Sequence, residues 1–484
     1  MLKSEVIVSI ATQDLFNQPR TFYLVSILEL WQRFSYYGLQ SILVLYFVWQ
    51  LELTQADAFR LFSTYVALAF GFISVGRWLG EQVIGIRRSL LLGSLVMMSG
   101  YVLLVFSSHQ NGLIYPGLAT IAVGHGLFKT IPASLLSDTY NRTRFTLYHI
   151  LACFGSIISI LLTPWIAHHY DWNIAFSLGV FGLFLVIIHL IFGKHYLNNH
   201  GSLADQQPVP LKIILLVTVI IAVAIIFSTF LLHNQAIAPW ILAVLFIANI
   251  LFYWKQLVRL EPVMRQRIGV IFILLAMVFV FFVLYLQIPT SLNFFAINHV
   301  SHQVFGISFL PEQFQVLNPI WIIITAPMLA ALYNRLGSYL PIPHKLAIGM
   351  VLCSASFLVL PWAAAFSDSS GFISANWLIL SYALHSIGHL SISALGLIVV
   401  NRMVPSELKN FITSIWFFTF AAAALTAGKI AAQTIAPLNS DSPYISLALY
   451  SEWFMKIGIF TAVIAVLMVI SAPLIHRMMQ NNQR

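Results

Sequence analysis

Long apolar runs, separated by short polar or Pro/Gly breaks, repeat from near residue 22 to near residue 476. A helix needs roughly 20 apolar residues to cross a bilayer. That length and those breaks predict about fourteen membrane-spanning helices. Their approximate limits are 22–49, 58–80, 88–108, 112–138, 145–168, 174–197, 211–232, 236–254, 268–298, 314–336, 345–366, 373–402, 410–435 and 450–476. The clearest linker is Gly201–Pro210. The two runs after it, 211–232 and 236–254, carry almost no polar residues and are expected to face lipid. The chain therefore divides into 1–200, a linker with two additional helices at 201–265, and 266–484.

The first run breaks its apolar pattern in one place. Glu29, Gln32, Arg33, Tyr36 and Tyr37 fall at i, i+3, i+4, i+7 and i+8. All five share one helix face, and Glu29 and Arg33 are one turn apart, close enough to pair. A carboxylate and a guanidinium at membrane depth are costly. They are tolerated when paired and turned toward protein or a watery cavity, so they mark a substrate or ion path. The alternative is a structural ion pair that holds helices together.

Composition agrees with the pattern. The 484 residues are 60% hydrophobic and 8% charged, with a mean hydropathy of +0.89. A soluble fold cannot hide that much apolar surface, so the chain reads as an all-α polytopic membrane protein. The net charge of +9 does not imply nucleic acid, because the basic residues lie in short loops. No cleavable leader is expected: the first run follows a polar segment, is too long for an h-region and lacks a small-residue cleavage site. Cys153 and Cys353 both lie in apolar runs, which argues against a disulfide framework.

Lys and Arg alternate from loop to loop. One set holds Arg87 and Arg88; Arg142 and Arg144; Lys194 and Lys212; Lys255, Arg259, Arg265 and Arg267; Arg335 and Lys345; Arg402 and Lys409. The tails add Lys3, Arg20, Arg477 and Arg484. The intervening loops carry mostly acids, among them Glu52, Asp57, Asp171, Glu312, Asp368, Asp441 and Glu452. By the positive-inside rule, both termini are expected in the cytoplasm.

The loop Gly80-Glu81-Gln-Val-Ile-Gly85-Ile-Arg87-Arg88 resembles the loop signature of the major facilitator superfamily. There an acid latches to basic residues and gates the cytoplasmic side; here Glu81, Arg87 and Arg88 stand in those places. Its second-half counterpart has Tyr333-Asn-Arg335-Leu-Gly337. An ordinary positive-inside loop with glycine turns is the other reading.

The first-helix stretch, with Glu29, Gln32, Arg33, Phe34, Tyr36, Tyr37 and Gly38, resembles the signature of the proton-dependent oligopeptide transporters. These form a branch of the same superfamily. Further likenesses cover nearly the whole chain: Gly126-Leu-Phe-Lys129 with Pro132, Phe145-Thr-Leu-Tyr148 with Gly155-Ser156, and Gln287-x-Pro-Thr-Ser-Leu-Asn-Phe-Phe-Ala296. Leu317-Asn318-Pro319-x-Trp321, Ser386-Ile-Gly388 and Trp416-Phe417 complete the set. The two extra mid-chain helices also match bacterial members. The resemblance implies the major facilitator fold, two six-helix bundles around a central cavity, worked by alternating access. It implies that Arg33 and Lys129 hold a substrate carboxylate, with a hydroxyl from Tyr37. It implies that Asn318 binds the substrate's other end, that Trp321 and Trp416 shape the pocket, and that Glu29 keeps Arg33 in place.

The sequence departs from the family in a cluster. The second acid of the first-helix motif is Gln32. A tenth-helix glutamate that pairs with the fourth-helix lysine and the substrate amine is His389. The usual fifth-helix tyrosine and asparagine are His149 and Cys153, and a second-helix tyrosine is Phe70. His125 and His385 stand one turn before Lys129 and His389. His385, His389 and Ser393 make a stripe at i, i+4 and i+8. The bland reading is a set of packing histidines bonded to carbonyls. Three functional readings stay open: proton carriers, a two-histidine metal pair lacking a third ligand, or a more cationic cavity for a substrate with extra carboxylates.

The chain is thus expected to be a secondary active transporter of small peptides or peptide-like carboxylates in a bacterial-type inner membrane. Proton linkage is expected, with altered coupling. The alternatives are a carrier of an anionic polycarboxylate or metal-chelating, siderophore-like metabolite, and a transceptor that senses its ligand without transport. An enzyme is not expected, because no nucleophile–base set, full metal triad or nucleotide-binding glycine motif has suitable spacing. The expected partners are a carboxylate-bearing small molecule, protons and the bilayer, with no cofactor, no metal and no nucleic acid.

Overall fold

The computed structural model describes residues 18–107, 111–129, 132, 142–197, 201–258, 260–304, 306–394, 408–435 and 443–480. Lys3, Arg259, Arg402, Asp441 and Arg484 lie outside the described residues. The described residues are almost wholly helical. In order it forms α1 (Arg20–Trp49), α2 (Gln55–Gly71), α3 (Ile73–Trp78), α4 (Ile86–Ser107), α5 (Ile114–Phe128), α6 (Arg142–His169), α7 (Trp172–Gly193) and α8 (Leu211–His233). Then come α9 (Ala238–Val258), α10 (Pro262–Tyr285), α11 (Ser291–His299), α12 (Leu317–Leu336), α13 (Ile342–Ala364), α14 (Ala375–His389), α15 (Lys409–Ala431) and α16 (Pro443–Gln480). A small hairpin pairs Gln303–Val304 with Ile307–Ser308. Ten helical stretches among the described residues are long and apolar enough to cross a membrane by themselves. The multi-pass helical class expected from the apolar pattern is borne out.

Packing divides the chain into two compact units, 1–40 with 72–229 and 41–71 with 230–484. In the first, α3 crosses α5 at two glycines. A Cβ on Gly126 would stand 2.7 Å from the Phe72 carbonyl carbon, and one on Gly76 would meet the Gly126 carbonyl. Small residues let helix backbones approach this closely in a membrane. The apolar helix α8 exposes Leu215, Val219, Val223 and Ile226, as expected of a lipid-facing addition. Its other side is not free: Val217 and Ile221 pack on Leu79, Ile84, Val123 and Leu127.

In the second unit, α2 packs on α15, where Phe70 stacks on Phe420 at 3.7 Å between ring centroids. The sequence predicts one span over 268–298, but the chain breaks between α10 and α11. Pro289 has no amide hydrogen to continue the helix. Gln287 bridges the break: its amide nitrogen donates to the carbonyls of Val283 and, on α15, Ala427, and its oxygen accepts from the Ser291 hydroxyl. The predicted stripe of His385, His389 and Ser393 is also interrupted. A wide π turn, Leu390–Ala394, begins directly after His389 and shifts the helical phase.

Candidate functional site

The polar stripe of α1 meets α5 and α6 in the first unit. The regular helix puts Glu29 and Arg33 one turn apart, and Arg33 Nε donates to Glu29 Oε1 at 3.0 Å. The same oxygen accepts from Lys129 Nζ at 3.1 Å. Lys129 follows directly on α5, where its amide bonds to the His125 carbonyl. The Glu29 side chain is 3% exposed, against 13% for Arg33 and 25% for Lys129. Glu29 Oε2 has no hydrogen-bond partner among the described residues. With His389 in place of the tenth-helix glutamate, Lys129 is paired instead with Glu29, 100 residues away in sequence.

The guanidinium has further neighbours on α6. Arg33 Nη2 donates to His149 Nδ1 at 3.4 Å, and Nη1 approaches Cys153 Sγ at 3.7 Å. A guanidinium can only donate, so His149 Nδ1 is an acceptor and its ring proton sits on Nε2. Beside this cluster, the amide nitrogen of Gln32 donates to His125 Nδ1 at 3.2 Å, and His125 lies against the Tyr36 ring at 4.7 Å. The neutral Gln32–His125 pair stands where the family has an acid and an asparagine. Tyr37 packs edge-on against Tyr36 and is half-buried. Two cations and one carboxylate thus share the cluster. The excess positive charge sits in a mostly dry place, which favours an added anion.

A second cluster lies in the other unit. Asn318 on α12 donates to Ser386 Oγ on α14 at 3.0 Å. Trp321, one turn along α12, keeps a buried Nε1 with no partner among the described residues. His389 lies between Phe281 and Tyr285, at 5.2 and 4.9 Å. His385 is buried against the same two rings and Phe357. Trp416 stands edge-on to Phe282. Among the described residues no group of three or more His, Cys, Asp or Glu side chains could hold a metal.

The expected latch is arranged differently from its sequence reading. Glu81 pairs with Arg77 on its own turn at 2.8 Å. Arg87 instead pairs with Asp205 at 3.5 Å, and Arg88 donates to the carbonyls of Ile84, Ala204 and Gln207. The sequence reading missed Asp205. Its one signal was an acid in the linker after a glycine and a serine.

Residues 87–446 match the profile of the POT family. The dipeptide and tripeptide permease A of Edwardsiella piscicida is 49% identical over 470 residues, covering 96% of both chains. The permease of the same name from Yersinia pestis is 49% identical over 474 residues, covering 96% of this chain and 95% of its own. The solved structure of a bacterial homologue of the human drug peptide transporters PepT1 and PepT2 has a TM-score of 0.84 at 28% identity. It covers 95% of this chain and 99% of that one. Tetrameric PepTSo2 has a TM-score of 0.83 at 30% identity, over 94% of this chain and 98% of that one. The fold is that of a membrane transporter of the major facilitator type. The chain belongs to the POT family.

Proposed function

We propose that this protein is a proton-driven transporter of di- and tripeptides in a bacterial inner membrane. The observation that carries the reading is the single Glu29 oxygen shared by Arg33 and Lys129. Two cations on one buried carboxylate leave a positive charge for a peptide carboxylate to neutralise. Arg33 offers its planar fork and Lys129 a point charge, with Tyr37 supplying a hydroxyl. A proton on Glu29 would release both cations to the peptide, so proton and peptide enter together. Gln32, His125 and His149 hold the cluster's shape as neutral hydrogen-bonding groups. By the family resemblance, Asn318, Trp321, His389 and Trp416 would take the rest of the peptide, with His385 in the polar network beside His389. The names of the permease relatives support peptides over the polycarboxylate, metal-chelate and sensor alternatives.

On this reading the bundles are 1–200 and 266–484, joined by 201–265. Both termini are cytoplasmic, by the Lys/Arg alternation. A cysteine introduced at residue 260 should then resist an impermeant thiol reagent added from outside, while one in the 301–312 loop reacts. The reverse labelling would invert the topology.

Binding is tested by the thermal unfolding of the purified protein with dialanine and trialanine. A ligand at 100 times its Kd stabilises by about 2.7 kcal/mol, so the unfolding temperature should rise. Dialanine amide, which lacks the carboxylate, should give no rise. Equal shifts with both would remove the carboxylate from recognition.

A further inference from the structure

Helix α4 begins at Ile86, and its first amides have no partner within the helix. The residue before it, Gly85, has φ +96 and no side chain to cap them. The cap comes instead from 119 residues further on. Asp205 Oδ2 accepts from the Ile86 amide at 2.8 Å, and Oδ1 from the Arg87 amide at 3.1 Å. The carboxylate also accepts from the Ser202 amide at 3.0 Å and hydroxyl at 3.3 Å, and it pairs with the Arg87 guanidinium. Its side chain is 2% exposed. A Cβ on Gly85 would collide with Asp205, so the glycine serves both the turn and the close approach. Around this centre, the Gly80 carbonyl lies 3.4 Å from Ser202 Oγ as an alternative acceptor for its one proton, and Arg88 reaches the Ala204 and Gln207 carbonyls at 3.2 and 2.9 Å. Val217 and Ile221 of α8 pack on Leu79, just before the Gly80–Arg88 loop, and on Ile84 within it.

We propose that Asp205 is a positioning residue for the transport cycle. It supplies the acid that the basic loop Gly80–Arg88 uses, the role sequence alone assigns to Glu81, and it ties that loop to the inserted helix α8. The loop, the linker and α8 then move as one body. A buried carboxylate holding two amides at a helix N-terminus, with a guanidinium beside it, is a strong, directional tie. The mid-chain insertion thereby braces the loop. The proposal rests on the transport reading, but the tie itself can be measured without any substrate.

The experiment uses the full chain with Asp205→Ala and Asp205→Asn. Initial dialanine uptake into proteoliposomes should fall at least tenfold in Asp205→Ala, while the dialanine Kd in detergent stays within twofold. Hydrogen exchange at the Ile86 and Arg87 amides should accelerate. Asp205→Asn keeps one acceptor and loses the charge, so it should lie between. If Asp205→Ala does not reach the membrane, Asp205→Asn and Ser202→Ala carry the same readouts at smaller amplitude. Uptake within twofold of wild type, or a Kd that rises in step with the fall in rate, overturns the positioning role. Unchanged exchange overturns the tie alone. A wild-type chain that takes up no dialanine overturns the transport reading, and with it any role for Asp205 in transport.

Discussion

Glu29→Gln is expected to abolish proton-driven peptide accumulation while leaving exchange of peptide across the membrane in place. Glu29 is the carboxylate that Arg33 and Lys129 share, at 3.0 and 3.1 Å. Gln32, where the family has its second acid, cannot take up a proton at all. Replacing Glu29 by its amide keeps the shape and one acceptor oxygen but removes the titrating group. Accumulation under an imposed pH gradient should drop about a hundredfold, whereas counterflow, which needs only binding and reorientation, should persist. The variant should also be less stable. Removing one partner of a buried ion pair costs about 3–5 kcal/mol, and the lower end applies here because Lys129 is partly reached by water. If His125 or His149 carried the proton instead, Glu29→Gln would still accumulate peptide.

The second large effect belongs to the two cations. Arg33→Lys and Lys129→Ala should each weaken dialanine binding tenfold or more, a loss of roughly 1.4 kcal/mol. Arg33 uses all three of its nitrogens at once, toward Glu29, His149 and Cys153. A lysine there keeps the charge but cannot hold that fork or grip a carboxylate with two parallel bonds. Lys129→Ala leaves Glu29 bound to Arg33 alone, which ties the guanidinium more firmly to its own acid and away from substrate. The two losses should not add, since both residues share one oxygen. Titration calorimetry of the single and double variants reads this directly, and unchanged affinity in both singles would place the carboxylate elsewhere.

Much of the first cluster was legible because a helix repeats. Glu29 and Arg33 are four residues apart, so their pairing follows from helical geometry. The long apolar runs were equally plain, since membrane depth sets their length. The pairing of Lys129 was not legible, for a physical reason. Its partner is 100 residues away, and only the docking of α5 on α1 brings the two together. Asp205 looked like an ordinary linker acid, because a cap supplied across the fold leaves no local spacing signal. The break after Tyr285 had a visible proline at 289, yet the apolar run on both sides concealed it. The π turn after His389 has no composition of its own, so a stripe drawn at four-residue spacing ran through it. The histidines pointed to a changed site, but their neighbours were not in the pattern: Gln32 and Tyr36 for His125, aromatic rings for His385 and His389.

The most direct test of peptide transport is uptake of labelled dialanine by the purified, unmodified protein in proteoliposomes, with and without an inward proton gradient. The account predicts accumulation above the outside concentration when the gradient is imposed, its collapse on adding a protonophore, and competition by trialanine but not by dialanine amide. Uptake that only equilibrates and ignores the gradient would contradict proton coupling, and no uptake of either peptide would contradict peptide transport itself.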